Sequence, residues 1–202
     1  ELNYKFRAKY EREYDIALRK FISSISREES GSWRTIYDSN KVEHEERKAK
    51  QFESTEENSF NQYNYIHPKE PIEVQVGDIV KYKIRVYNEG IYNTKITQIA
   101  DYLPAKGLKL LQAGEYKSKD NGPIHNTIYP DGYKLTETNG ADKTIILISP
   151  EDGYDSIRNG VLVTEKDCLE VDLEFLVTED AKGRIITNIA EVLSFVGQED
   201  TN

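Results

Sequence analysis

Apolar and polar residues alternate along much of this chain, and this period of two is typical of β-strands with one buried face. The segment 168–178 alternates apolar residues with three acids, and the segment 79–87 alternates them with lysine and arginine. The same pattern predicts further strands at about 14–26, 93–103, 108–116, 126–129, 143–149, 160–164 and 184–196. Turn pairs such as Asn139-Gly140 separate them. We therefore expect an all-β fold, an immunoglobulin-like antiparallel β-sandwich.

Three polar residues, Lys20, Asp101 and Asn188, fall on the apolar face of their predicted strands. Each is in phase with apolar neighbours: Ile16, Leu18 and Ile22 for the lysine, Ile99 and Leu103 for the aspartate, Ile186, Ala190 and Val192 for the asparagine. A buried ammonium without a partner is costly. We therefore expect these three side chains to converge in one core.

The alternation pattern predicts that residues 1–202 form a single β-sandwich domain with an insertion. Its parts are a leader or linker at 1–13, a first strand at 14–26, a polar insertion at 27–62, a sandwich body at 63–196 and a linker at 197–202. A short amphipathic helix is expected over 1–14. The first strand is expected to pair with the body, since its apolar stripe would otherwise be exposed.

The insertion at 27–62 is expected to be the least regular part of the chain, because its composition buries too little apolar area to offset the entropy of ordering. Within it, Val42–Phe52 predicts a surface helix or a loop.

The composition of the chain limits the classes of function that it can have. The 202 residues carry a formal net charge of −9, which disfavours nucleic acid and anionic membrane surfaces as partners. No apolar run approaches the roughly 18 residues that a membrane span needs, and neither a signal peptide nor an anchor is present. A single cysteine, Cys168, excludes an intramolecular disulfide. The lack of methionine, with Glu1 as first residue, indicates a piece of a longer protein.

Neither a metal nor a cofactor is expected. His44, His67 and His125 are scattered without ligand spacing, and the acidic turns at 120–122 and 151–155 lack the spacing of an EF-hand. No nucleophile elbow or phosphate-binding glycine loop is present, so an enzymatic function has little support. Cys168 is interpreted as a small buried apolar residue.

Three ordered motifs carry a resemblance to a known family: Val76–Gly90 (VGDIVKYKIRVYNEG), Ile99–Leu108 (IADYLPAKGL) and Ile186–Val192 (ITNIAEV). Together they resemble the conserved repeat domain of Gram-positive cell-surface proteins and adhesins, an immunoglobulin-like sandwich, over most of residues 65–196. Asp15–Ile22 and Tyr65–Lys69 are similar to segments that precede this domain in clostridial surface proteins. The resemblance implies an extracellular, wall-associated module whose partners include neighbouring domains of the same surface protein.

Related pilins and collagen-adhesin-like domains contain a spontaneous Lys–Asn isopeptide bond with an acid beside it as proton shuttle. In the collagen-adhesin A-type arrangement the lysine lies on the first strand, an aspartate in mid-domain and the asparagine on the last strand. Lys20, Asp101 and Asn188 match that order. The resemblance thus implies a cross-link between Lys20 and Asn188 with Asp101 as catalytic shuttle, although the insertion at 27–62 departs from the family pattern.

The chemistry of such a bond requires burial. Only a neutral amine attacks an amide, and burial lowers the pKa of a lysine while raising that of a carboxyl group. A protonated Asp101 could donate to the Asn188 carbonyl while the Lys20 amine adds and ammonia leaves. The alternative is a buried Lys20–Asp101 ion pair with Asn188 hydrogen-bonded and no covalent bond.

Other groups are weaker candidates for these roles. Lys69 is a rival nucleophile, but it lies between two prolines in a predicted loop. Among the acids, Glu170, Asp172 and Glu174 are expected to point outward and Asp78 to lie in a turn, which leaves Asp101 as the inward-facing one.

We therefore expect a non-enzymatic structural or adhesive module of a bacterial cell-surface protein, stabilised by an autocatalytic cross-link. The alternative is a ligand-binding adhesin domain that recognises a host protein or glycan through the 27–62 insertion and tyrosine-rich loops, without a cross-link. Neither nucleic-acid binding nor membrane insertion is expected.

Overall fold

The computed structural model describes residues 14–39, 43–49, 60–66, 70–90, 92–111, 133–150, 161–163 and 168–197. In these ranges the strands are β1 Ile16–Glu29, β2 Ser32–Asp38, β3 Glu43–Ala49, β4 Phe60–Ile66, β5 Ile79–Asn88, β6 Thr94–Pro104, β7 Leu108–Leu110, β8 Tyr133–Asn139, β9 Lys143–Pro150, β10 Val161–Val163, β11 Cys168–Val177 and β12 Ile189–Gly197. Glu179–Ala181 forms one turn of 3₁₀ helix. Among the described residues no helix is long and apolar enough to cross a membrane.

Two antiparallel sheets pack together, which confirms a β-sandwich. The first sheet has the order β2-β1-β5-β11-β7. In the second sheet, β6 pairs with β9, β10 and β12, and β9 pairs with β8. β3 and β4 form a separate two-stranded sheet.

The core lies between the two sheets and is built by the alternation seen in the sequence. Ile84 of β5 and Phe175 of β11 reach into it from the first sheet, and Ile99 of β6 and Ile148 of β9 reach into it from the second. All four are at most 1 % exposed. Burying a side chain of this size contributes about 1.5–3 kcal/mol, so the facing sheets are held by this contact.

The first strand pairs with the body, as expected. β1 runs antiparallel to β5 from Ile16 to Ser26, and Ile16 and Leu18 pack against the core. Lys20 lies in the middle of this pairing, opposite Ile84. Its side chain is 6 % exposed, so the prediction that it is buried is confirmed.

The described parts of the segment 27–62 are more regular than expected. β1 continues to Glu29, the chain turns at Ser30 and Gly31 with positive φ angles of 53° and 84°, and β2 returns beside β1. The expected surface helix or loop over Val42–Phe52 is wrong for Glu43–Ala49, which is β3. Strand pairing supplies backbone hydrogen bonds even to segments that bury little, and this overrides local composition.

Other boundaries also differ from expectation. The strand predicted at 108–116 is described only as the short β7, and β12 begins at Ile189 rather than at 184. β8 at Tyr133–Asn139 was not predicted. The strand expected at 126–129 and the helix expected over 1–14 lie outside the described residues, apart from Tyr14.

β1 begins and β12 ends at the same pole of the sandwich. Ile16 pairs with Asn88 at the end of β5, and Gly197 pairs with Thr94 at the start of β6. The Tyr14 ring packs on Gly197 so closely that a Cβ there would lie 2.2 Å from it. The chain therefore enters and leaves the described sandwich side by side.

Candidate functional site

The three predicted site residues come from different strands. Lys20 projects from β1 in the first sheet. Asp101 lies in the middle of β6 in the second sheet, opposite Ala190 of β12. Asn188 immediately precedes β12, so it lies beside β6 one step further along the ladder. The two strands that carry Lys20 and Asp101 share no backbone pairing, and their side chains meet only because the sheets face each other.

One carboxylate contacts both other groups. Lys20 Nζ donates a short hydrogen bond to Asp101 Oδ1. Asn188 Nδ2 donates a weaker bond, 3.5 Å long, to Asp101 Oδ2. The Asp101 side chain is 0 % exposed. The structure thus brings the predicted lysine, aspartate and asparagine together, with the acid between the other two.

The Asn188 carboxamide is only partly satisfied. Its Oδ1 atom is buried and has no hydrogen-bond partner among the described residues. An unmade hydrogen bond on a buried acceptor costs about 1–3 kcal/mol. A half-turn of the carboxamide exchanges the two terminal atoms and directs Oδ1 toward Asp101, where a protonated carboxyl group would donate to it. The site therefore contains a buried amide oxygen without a donor in the part of the chain that the structure describes.

Burial shifts the ionisation of both charged groups toward their neutral forms. It lowers the pKa of Lys20 to about 8, against the attraction of the Asp101 carboxylate, which acts in the opposite direction. Burial likewise raises the pKa of Asp101, and the Lys20 ammonium opposes that shift. A lysine pKa near 8 increases the neutral amine fraction at pH 7 by more than two orders of magnitude over an exposed lysine.

Tyr82 of β5 forms one wall of the site. Lys20 Nζ lies 4.7 Å from the centre of the Tyr82 ring, and that ring packs edge-on against Phe175 at 5.7 Å. Burial, with the Asp101 charge as a smaller contribution, raises the pKa of Tyr82 to about 12. Alternation placed Tyr82 on the inner face of β5, but it could not show that β5 is the neighbour of β1.

Two other acids are also buried. Glu174 lies on the outward side of β11 and Asp78 closes a turn by donating its N–H to Gln75 O at 3.1 Å, both as expected, yet each is only 1 % exposed. Glu174 lies 3.3 Å from Lys81, and Asp78 accepts two hydrogen bonds of 2.7 Å from Arg27. A period of two gives the side of a strand on which a residue lies, but not whether that side is covered.

The remaining candidates add no second site. Lys69, His67 and His125 lie outside the described residues, and the side chain of His44 is not described. Cys168 is half-buried, not fully buried as expected. In the part of the chain that the structure describes, no group of three or more His, Cys, Asp or Glu is arranged to hold a metal ion.

Sequence comparisons give no relative from which a function could be transferred. A scan against protein families finds no family that matches this chain, and a search of curated proteins finds no matching sequence.

Proposed function

We propose that this chain is a structural or adhesive module of a bacterial cell-surface protein, immunoglobulin-like in fold, and that Lys20 and Asn188 become joined by an autocatalytic isopeptide bond. The observation that carries this proposal is that the buried carboxylate of Asp101 contacts the lysine amine and the asparagine amide at the same time. The extracellular, wall-associated setting rests on the resemblance of the motifs in β5, β6 and β12 to the surface-protein repeat.

The first chemical step is a proton transfer within the Lys20–Asp101 hydrogen bond. The ion pair and the neutral pair contain the same number of protons, so moving one proton from Nζ to the carboxylate gives both the neutral nucleophile and the protonated acid. Desolvation disfavours two buried charges and therefore favours this transfer. Burial shifts the two pKa values in the directions that the step needs.

The second step forms the bond. The neutral Nζ of Lys20 adds to Cγ of Asn188 while Asp101 donates its proton to Oδ1, and the carboxylate then takes a proton from Nζ and delivers it to the departing Nδ2. As ammonia leaves and the carbonyl re-forms, the Oδ1 proton returns to the Asp101 carboxylate. One Nζ–Cγ bond forms, one Cγ–Nδ2 bond breaks, and ammonia leaves. Nothing is oxidised or reduced, and no cofactor takes part. The domain reacts once and is not an enzyme.

Folding supplies the orientation that makes this reaction feasible. Lys20 and Asn188 are far apart in the sequence but are held against one carboxylate by two packed sheets. Positioning of this kind is worth about 7–11 kcal/mol of barrier when the reacting groups are well oriented. The Tyr82 ring and the apolar core exclude the water that would protonate the amine.

The mass of the purified protein under denaturing conditions tests this proposal. We expect it to be one ammonia lighter than the sequence mass, and we expect digestion to yield a branched peptide joining the Lys20 and Asn188 segments. Lys20→Ala and Asn188→Ala should each restore the full mass. Thr187→Ala is the matched control, since Thr187 is exposed beside Asn188 and should leave the bond intact. An unmodified mass in the wild-type protein would mean that the three residues form only a buried ion pair with a hydrogen-bonded amide.

A further inference from the structure

The outer face of the first sheet contains a polar groove of about 320 Å³. It lies on the side of the sheet opposite to Lys20 and the core, since its floor is made by residues that alternate with the inward-facing ones. The groove is lined by Phe21, Ser23, Ser24, Thr35, Asp38, Ser39, Lys81, Lys83, Arg85 and Asp172. Four hydroxyl groups and five charged groups therefore face one space.

A β-bulge shapes the floor of the groove. In the pairing of β1 with β5 the register shifts between Ile22 and Ser24, so Ser23 is an extra residue in β1. Both Ser23 and Ser24 consequently line the groove, where a regular strand would direct only one of them outward. Thr35, Asp38 and Ser39 form one wall of the groove. This wall is hydrogen-bonded to the bulge, because Ser39 N donates a 2.7 Å hydrogen bond to Ser23 O.

The charged groups of the floor are fixed by one another. Asp172 lies 3.5 Å from both Lys81 and Lys83, and Glu170 lies 2.8 Å from Lys83 and 2.5 Å from Arg85. Glu170 lies beside the groove, and the four charged side chains that line its floor, Lys81, Lys83, Arg85 and Asp172, are 15–26 % exposed, so they remain accessible to a ligand. A ligand that binds here meets donors and acceptors that are already ordered, which reduces the entropic cost of binding.

The chemistry of the lining selects the kind of ligand. An anion gains little, because the cations are already paired and Asp38 and Asp172 also face the groove. A cation meets Lys81, Lys83 and Arg85. An apolar ligand would leave these polar groups without partners. A neutral, hydroxyl-rich molecule can donate to the carboxylates and accept from the cations and hydroxyl groups.

We propose that this groove binds a neutral saccharide. Its volume of about 320 Å³ is at the lower end of the range of small-molecule sites, which suits a sugar unit of a glycan. The site goes beyond the proposed cross-link and is independent of it, since it lies on the opposite face of the sheet. The module would thus combine a covalently closed core with a recognition surface.

Titration of the isotope-labelled wild-type protein with a panel of neutral oligosaccharides, and with sialylated and sulfated ones for comparison, tests the proposal by NMR. We expect at least one neutral oligosaccharide to shift the backbone amide signals of Ser23, Ser24 and Ser39. The double variant Thr35→Ala/Asp38→Ala removes two exposed polar groups of the wall and should weaken binding by about fivefold or more, as expected for lost hydrogen bonds.

The matched control is Thr136→Ala/Asp142→Ala, which removes the same two residue types at exposed positions of the second sheet and its turn. It should bind as the wild-type protein does, and so should Asn188→Ala. Failure of the whole neutral panel to bind, binding of charged glycans alone, or full affinity in Thr35→Ala/Asp38→Ala would each overturn the proposal. Because Asn188→Ala lacks one reactant, these outcomes are separate from those for the cross-link.

Discussion

Lys20 of the first sheet donates a hydrogen bond to Asp101 of the second sheet across the core of the sandwich. Truncating one member of a buried pair typically costs about 3–5 kcal/mol, because the other charge is left without a partner, whereas replacing both by apolar groups is often neutral or stabilising. Stability alone is thus a weak reason for placing this pair in an apolar core. A reaction that consumes the amine is a stronger one, and it makes the following outcomes testable.

Asp101→Asn should abolish the cross-link while both reactants stay in place. Asparagine has nearly the shape of aspartate, but its amide cannot relay protons between the amine, the carbonyl oxygen and the departing ammonia. We expect the intact mass of this variant to equal the sequence mass. Glu191→Gln is the control, since Glu191 lies on β12 but accepts a hydrogen bond from the exposed Tyr102 hydroxyl group and does not contact the site. Loss of ammonia in Asp101→Asn would show that the acid is not the shuttle.

Asn188→Ala should lower the free energy of unfolding substantially. A bond from Lys20 to Asn188 closes most of the chain into a loop, and the chain-entropy estimate for such a closure is about 5 kcal/mol. Denaturant unfolding of the wild-type protein, of Asn188→Ala and of Thr187→Ala measures the difference. If Asn188→Ala and Thr187→Ala unfold at the same denaturant concentration, no covalent closure contributes to stability.

Tyr82→Ala should slow or prevent cross-linking, whereas Tyr82→Phe should not. The ring covers the Lys20 amine on one side, and its removal admits water that stabilises the ammonium and raises the lysine pKa toward its ordinary value. Phenylalanine retains the ring without the hydroxyl group. The cross-linked fraction in intact-mass spectra of freshly purified protein separates the two variants. Equal fractions would assign Tyr82 a packing role alone.

The pKa of Lys20 predicts a pH dependence of stability in the Asn188→Ala variant, where the amine stays free. The folded-state pKa is about 8, against an ordinary lysine value of 10.5 in the unfolded chain. Below pH 8 the lysine is protonated in both states and its burial penalty is fully present. Between these two values the unfolded chain binds more protons, so the free energy of unfolding rises with pH.

The measurement compares Asn188→Ala with Lys20→Met/Asn188→Ala in urea at about pH 7 and pH 10. From pH 7 to pH 10, the unfolding free energy of Asn188→Ala should rise by about 1–3 kcal/mol relative to that of Lys20→Met/Asn188→Ala. The raised pKa of Asp101 has the opposite effect on the free energy of unfolding. Between about pH 4 and that raised pKa the folded state binds more protons than the unfolded chain, so the free energy of unfolding falls as pH rises. A difference that does not change with pH would indicate that Lys20 is hydrated.

Alternation was sufficient to predict the central strands and the inward direction of Lys20, Asp101 and Asn188, since these strands have one apolar face. It failed for β2 and β8, whose side chains are mostly polar on both sides and whose strand state depends on a neighbour. It placed Glu174 on the correct side of β11 but did not show that this side is covered. The contact of Tyr82 with Lys20 depends on which strands are neighbours, and this information is not local.

The packing of Tyr14 on Gly197 determines how the domain would bear a load. Both ends of the described sandwich leave at one pole. A pull that separates them therefore breaks the backbone hydrogen bonds of β1 and β12 one after another, instead of shearing all the bonds of a strand at once. β1 would peel from β5 and β12 from β6, starting at that pole. With Lys20 and Asn188 joined, peeling stops at the bond, so only residues 14–20 and 188–197 lengthen and the core between them carries no tension.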